Sequence, residues 1–329
     1  MTTSEGLAGL PTFDAPGDKG PSNADQALVE LGRYLSSAGY QHVAITPLSH
    51  AHNNQRSGNG TARDLRDIFG WSRPFRREMV TPFEFELMQS AEILTAHGEL
   101  WRSRVRWSTL GTLLCAHSAY PTDAAEAVFF GPDTYRFAQV IERHLERHAG
   151  TVRRAVDIGC GSGAGALLIG QACPAAEVVA LDINRQALRL TGVNAALAGL
   201  ENVVPAYSNL LQDVEGDFDL IVANPPYMLD PQQRAYRHGG GRLGAGLSLK
   251  IVDAALNRLA PGGTLLLYTG VAMVNGRDPF LQALQQRLSS LPCAWRYREL
   301  DPDVFGEELL KPVYSEVERI AAVALTLHA

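Results

Sequence analysis

The chain has 329 residues, 46% of them hydrophobic and 19% charged, with a formal net charge of −6. That length suits two domains with a sizeable core, and the acidic balance excludes a wholesale basic surface for nucleic acid or an anionic membrane. No apolar run approaches the roughly 18 residues of a membrane-spanning helix.

Cys115, Cys160, Cys173 and Cys293 form no C-x-x-C pair, which predicts a reduced chain without disulfides or a thiolate metal site. The first residues are acidic and glycine-rich instead of basic then apolar, so no signal peptide is expected and the predicted location is cytoplasmic.

In chain order, residues 1–22 are rich in Gly, Pro, Asp and Thr without periodicity and predict a flexible tail. Asn23-x-x-Gln26 has capping-box spacing, and Leu28, Leu31 and Leu35 follow at helical intervals before Gly39. Ser49–Thr61 predicts a polar loop, in which His50 and His52 lack a third metal ligand. Thr61-x-x-Asp64 opens a short helix carrying Leu65, Ile68 and Phe69, and Thr81-Pro82-Phe83-Glu84 opens another carrying Phe85, Met88, Ala91 and Leu94. Arg102–Trp107 alternates charged and apolar residues, and Leu110–Cys115 is apolar, so two strands should turn near Gly111. Helices plus a hairpin suggest a winged-helix-like unit over 23–125, serving substrate recognition. Its eight arginines between residues 62 and 110 face seven acids, a balance that reads as a solvated edge rather than a phosphate-binding face.

From residue 126 the pattern changes. Phe129–Phe137 leads into a helix with Asp133 or Thr134 as its cap and His144 and His148 on an exposed face. Strands at 154–158, 177–181, 203–207, 218–223 and 264–268 alternate with helices, which means a parallel sheet covered on both faces. Leu259–Gly263 should end a helix, and Trp295–Leu300 and Val317–Leu327 should close the sheet as an antiparallel pair.

Three strand ends carry chemistry. The first runs into Asp157-Ile-Gly159-Cys-Gly161-Ser-Gly163, where glycines let backbone approach a ligand closely. The second ends at Asp182, placed to accept hydrogen bonds from ribose hydroxyls, and the fourth ends in Asn224-Pro225-Pro226-Tyr227. Ligands of parallel sheets bind at this carboxyl edge. Taken alone, Gly159-x-Gly161-x-x-Ala164 also satisfies a dinucleotide fingerprint.

The pairing of the Asp-x-Gly-x-Gly-x-Gly turn with Asn224-Pro-Pro-Tyr227 resembles class I S-adenosylmethionine-dependent methyltransferases of the Asn-Pro-Pro-Tyr type. These include release-factor glutamine methyltransferases and N-methyltransferases of RNA and DNA bases. The resemblance spans roughly residues 126–329 and implies a Rossmann-like seven-stranded α/β sheet with S-adenosylmethionine as cofactor and no metal. It implies that Asp157, Gly159, Gly161 and Gly163 hold the amino-acid end and ribose, Asp182 the ribose, and Asn209 the adenine edge. Thr134, in a Pro-Asp-Thr element similar to the family's Pro-Glu-Thr, is a further cofactor contact. Asn224 and the Pro225 carbonyl would accept hydrogen bonds from the acceptor NH₂ group, with the ring of Tyr227 stacking on a planar acceptor.

Beyond the turn, Arg234, Arg237, His238 and Arg242 surround a glycine run that suggests a mobile loop; with Pro226 they are candidate substrate contacts, suited to an anionic group. The expected activity is N-methylation of a planar amide or amino nitrogen, for which a protein glutamine is one acceptor. A nucleic-acid base, a small carboxylate-bearing metabolite, or a non-enzymatic cofactor-binding regulator on DNA stay open.

Overall fold

The computed structural model describes residues 22–230, 232, 234 and 236–329. The tail expected at 1–22 lies outside them except for Ser22. That serine caps the first helix, α1 (Asn23–Ser37), in a reciprocal capping box with Asp25, one residue before the expected cap.

The N-terminal unit continues with α2 (Pro47–Asn54), α3 (Leu65–Phe69) and α4 (Pro82–Ser90). Two antiparallel hairpins follow, β1 (Leu94–His97) with β2 (Leu100–Ser103), and β3 (Val105–Leu110) with β4 (Leu113–Ser118). The helix α2 replaces the first half of the expected polar loop. Thr46 accepts from Ser49 N and Pro47 sits at the first helical position, so the chain begins a helix despite its polar composition. The turn buries His50 completely. β3 is likewise covered on both faces: Arg106 is buried alongside Trp107, whereas Arg104 stays exposed and donates to Thr95 Oγ1. The expected solvated arginine edge therefore loses one of its members to the interior.

The second part begins with α5 (Pro132–His148). Its N-cap is Gly131, with Pro132 opening the helix and Thr134 Oγ1 accepting from Gly131 N. The helix starts a few residues before the position expected from Asp133 or Thr134, because proline suits the first turn. There follow β5 (Arg154–Ile158), α6 (Ala164–Ala172), β6 (Glu177–Asp182), α7 (Arg185–Ala198), β7 (Val203–Tyr207) and β8 (Phe218–Ala223). The chain closes with α8 (Gly246–Leu256), β9 (Leu259–Met273), α9 (Pro279–Leu288), β10 (Ala294–Asp301) and β11 (Arg319–His328).

Seven strands form one sheet in the order β10-β11-β9-β8-β5-β6-β7. β5 through β9 pair in parallel, and β11 lies antiparallel between β9 and β10. Side chains alternate across the sheet as the pleat requires: Ala155 faces a core with α5 and α6, and Val156 faces one with α8 and α9. Strand order reverses at β5, so β5 and β8 diverge to either side of a crevice at their carboxyl ends. The fifth strand is longer than the five residues expected; it takes up Leu259–Gly263, and the preceding helix stops at Leu256.

The N-terminal unit is fastened to this sheet through α7. Leu28, Leu31 and Trp107 share a core with Ala187, Leu190 and Val193. Asn194 donates to Ala116 O and accepts from Ala116 N, stitching α7 to β4, and Arg189 pairs with Asp25 at 2.5 Å. Among the described residues no helix is long and apolar enough to cross a membrane.

Candidate active site

A cavity of about 230 Å³ opens at the carboxyl ends of β5, β6 and β8. Its wall includes Asp157, Gly159, Gly161, Asp182, Asn209 and the whole Asn224–Tyr227 turn, together with Thr134 and Arg237. Asp157 and Tyr227, 70 positions apart in sequence, thus share one wall because each lies at the carboxyl end of a strand of the same parallel sheet or in the turn that follows it.

The floor is the turn after β5. Gly159 and Gly161 adopt left-handed backbone (φ 71° and 57°), and a Cβ on either would meet nothing within 4 Å. Their bare backbone therefore faces open space, as a ligand lying against the main chain requires. Gly163 is left-handed for a different reason: its missing side chain makes room for Thr191 of α7, and it lies outside the cavity wall.

Two carboxylates flank that floor. Asp157 is buried, accepts from Ala166 N at 3.0 Å and pairs with no cation among the described residues; burial, reinforced by the charge of Asp182, pushes its pKa up to about 7. Asp182 ends β6 and accepts from Gly161 N and Asn184 N at 3.0 and 2.8 Å, and burial raises its pKa as well. An unpaired buried acid beside bare glycine backbone suits a ligand ammonium, and a strand-end carboxylate with spare lone pairs suits vicinal hydroxyls. The donor and acceptor set fits S-adenosylmethionine. Asn209 follows β7 on the cavity wall, where its exposed side chain has no hydrogen-bond partner among the described residues.

Across the cavity, the Asn224 amide makes no hydrogen bond to any described residue, whereas Pro225 is buried. The two prolines fix the backbone that presents this amide and the adjoining carbonyl. Tyr227 lines the cavity while being held by the protein interior. Its side chain is buried, its ring meets Phe305 edge-on at 6.3 Å, and its hydroxyl donates to Asp133 Oδ2 at 2.6 Å. Tyr268 of β9 donates to the other oxygen of Asp133 at 2.6 Å, and Arg136 approaches it at 3.3 Å. Burial raises the Asp133 pKa and the two tyrosines oppose that rise. A methyl group at Gly270 would lie 2.1 Å from the Tyr227 ring, so β9 is notched to receive it.

The described residues after the turn make close contacts with it. Gly239 N donates to Met228 O, and a Cβ at Gly244 would lie 1.9 Å from Tyr227 O, so these glycines permit close backbone contact. Arg234 is committed to Asp230 through two side-chain hydrogen bonds of 2.8 and 2.9 Å, which hold that carboxyl well below its usual range. Arg237 pairs with Glu308 but still reaches the cavity wall. His238 Nδ1 accepts from Asp230 N at 3.2 Å. Arg242 is exposed and has no side-chain partner among the described residues. The geometry brings Pro226 and Arg237 to the cavity and leaves Arg234, His238 and Arg242 outside its wall. Among the described residues no group of three or more His, Cys, Asp or Glu could hold a metal.

Asp133, Tyr268, Phe137 and Phe305 were missed as site residues by sequence reasoning. Asp133 sat beside the flagged Thr134, but its partners lie 94 and 135 residues away.

Residues 126–273 match the family described as the methyltransferase small domain. A release factor glutamine methyltransferase of Deinococcus radiodurans is 40% identical over 168 residues, covering 47% of this chain and 55% of the relative. A ribosomal protein uL3 glutamine methyltransferase of Neisseria meningitidis is 32% identical, covering 44% and 48%. A tRNA1(Val) (adenine(37)-N6)-methyltransferase of Aeromonas hydrophila is 35% identical, covering 37% and 54%. The chain spans about half the length of these relatives. With the sheet order and the motifs at its carboxyl edge, the match places residues 126–273 in the methyltransferase small domain family, within the class I S-adenosylmethionine-dependent methyltransferases of the Asn-Pro-Pro-Tyr type.

Proposed function

We propose that the chain methylates a planar amide or amino nitrogen, with a glutamine side-chain amide as the favoured acceptor, and that residues 23–125 recognise the acceptor while 126–329 carry the transfer. The observation that carries this reading is the open Asn224 amide facing the Gly159–Gly161 floor across one cavity. Two of the relatives above are glutamine methyltransferases by name, which supports the choice of acceptor.

S-adenosylmethionine would supply a methyl group made electrophilic by its sulfonium. Asp157 would hold its ammonium group, Asp182 its ribose hydroxyls, Asn209 its adenine edge, and Thr134 would close the wall beside it. Asn224 Oδ1 and the Pro225 carbonyl accept from the two N–H bonds of the acceptor. Those bonds turn the nitrogen lone pair toward the cavity floor and stabilise the positive charge that grows on the nitrogen. The nitrogen then sheds a proton to water, so no strong base is needed. Tyr227 acts through position: its bond to Asp133 anchors the turn that carries Asn224.

A nucleic-acid base as acceptor would call for the hairpin and loop arginines to make one basic surface. Arg106 is buried and Arg234 and Arg237 are paired with acids, which weighs against it. The test is transfer of labelled methyl from S-adenosylmethionine into protein, nucleic-acid and small-molecule fractions of a cell extract. Label in protein that disappears with Asn224→Ala is the expected result. Label confined to nucleic acid, or undiminished transfer by the variant, would overturn the reading.

A further inference from the structure

Behind the main cavity lies a smaller one, lined by Arg106, His50, His117, Tyr120 and Phe130, which shares Pro47, Thr122 and Phe129 with the main wall. Arg106 is 5% exposed and has no carboxylate partner among the described residues. Its Nε donates to Gly70 O at 2.9 Å and its Nη2 meets His42 Nε2 at 3.2 Å, while no described residue accepts from Nη1. Protein interiors pair their buried charges, because an isolated ion out of water costs several kcal/mol.

The surrounding rings supply donors but no counter-charge. His50 is fully buried; among the described residues neither ring nitrogen has a partner of full hydrogen-bond geometry, although backbone of Trp71 and Gly70 lies beside the ring, which is tilted against Tyr120 with centroids 4.3 Å apart. His117 is satisfied by Ser108 Oγ at 2.8 Å and Ser118 O at 3.2 Å. Burial first and Arg106 second hold His42 down to about 3 and His50 down to about 4, and push His117 well below its usual value, so all three are neutral near pH 7. Burial lowers Arg106 only to about 10, which leaves it charged. The result, among the described residues, is one uncompensated cation and one histidine without a full hydrogen bond on a cavity that adjoins the transfer site.

We propose that Arg106 and His50 form a carboxylate-binding subsite for the acceptor, reached past Thr122 and Phe129 from the main cavity. This rests on the methyltransferase reading above and names a further feature of its substrate. The free space is about 10 Å³, at most the room of a single oxygen atom, so one carboxylate oxygen would enter it while the rest of the group stays toward Thr122 and Phe129. Arg106 would supply the charge and a neutral His50 one N–H donor.

The full chain, labelled with ¹⁵N in its histidine rings, would be titrated with acetate, inorganic phosphate and neutral acetamide, with chloride holding ionic strength constant. Saturable movement of the His50 signals with acetate, absent with acetamide, is expected. Arg106→Gln, checked for folding by S-adenosylhomocysteine binding, should weaken acetate by about tenfold or more. No saturable movement, equal response to acetamide, preference for phosphate, or an unchanged response in Arg106→Gln would each overturn the proposal. If that variant does not fold, the acetate and acetamide comparison on the native chain decides alone. The titration requires no methyl transfer, so its outcome is separate from that of the Asn224→Ala assay.

Discussion

The hydroxyl of Tyr227 donates to the buried carboxylate of Asp133 at 2.6 Å, tying the end of β8 to the start of α5. Tyr227→Phe keeps the ring in its notch and removes one hydrogen bond to a carboxylate, a loss of roughly 1.5–3 kcal/mol in stability. Methyl transfer should fall by about tenfold as the turn loosens. Asp133→Asn strips the anchor from both tyrosines and should cost more in each assay. Denaturant melts and initial rates on the same preparations check both; an unaffected rate in Tyr227→Phe would show that the turn needs no anchor.

Gly161→Ala separates backbone strain from ligand access. The left-handed backbone at φ 57° costs a non-glycine residue about 1–2 kcal/mol, and there is open space for the methyl group itself. The methyl group would nevertheless stand where a cofactor must lie. Calorimetry should give cofactor affinity down by at least about tenfold, with only that modest loss of stability.

Asp157 makes stability depend on pH in a direction opposite to most carboxylates. Its pKa rises from 3.8 to about 7 on folding. Between those values the folded chain holds a proton that the unfolded chain has released, so this group's contribution worsens as pH climbs and is least favourable above pH 7. Asp157→Asn should therefore stabilise the cofactor-free chain by roughly 1–3 kcal/mol near pH 8, with the gap closing toward pH 4. The same variant should bind S-adenosylmethionine poorly. Urea melts across that range, run without cofactor, read the difference directly.

Asn194 joins three backbone groups, Ala116 N, Ala116 O and Ser162 O, all in the interior. Asn194→Ala leaves these without partners and should cost roughly 2–4 kcal/mol. Because the residue stitches β4 to α7 and to the loop under the cofactor floor, hydrogen exchange should quicken in both places together. Faster exchange in β4 alone would mean the two parts are not coupled through this side chain.

The strand ends were legible because each is an apolar run cut off by glycine, aspartate or proline, and such punctuation survives in one dimension. The same logic located the cavity's floor and the Asn224 turn. What sequence could not convey was pairing at a distance. Nothing local marks Tyr268 as the second donor to Asp133, since it reads as one more apolar position in a strand. Nor does the polar run around His50 betray a buried ring, because Thr46 and Pro47 start a helix that its composition alone would not. Arg106 looked like the charged half of an alternating strand; the pattern presumes one face toward water, and β3 is covered on both.

The notch at Gly270 couples two positions that lie far apart in the chain. Any side chain there would collide with the Tyr227 ring, so a library that diversifies position 270 while holding the tyrosine would consist almost wholly of misassembled sites. Positions 227 and 270 can only be varied as a pair, bulk gained at one being surrendered at the other, which makes the strand next door a silent co-author of whatever acceptor range the turn can be engineered to accept.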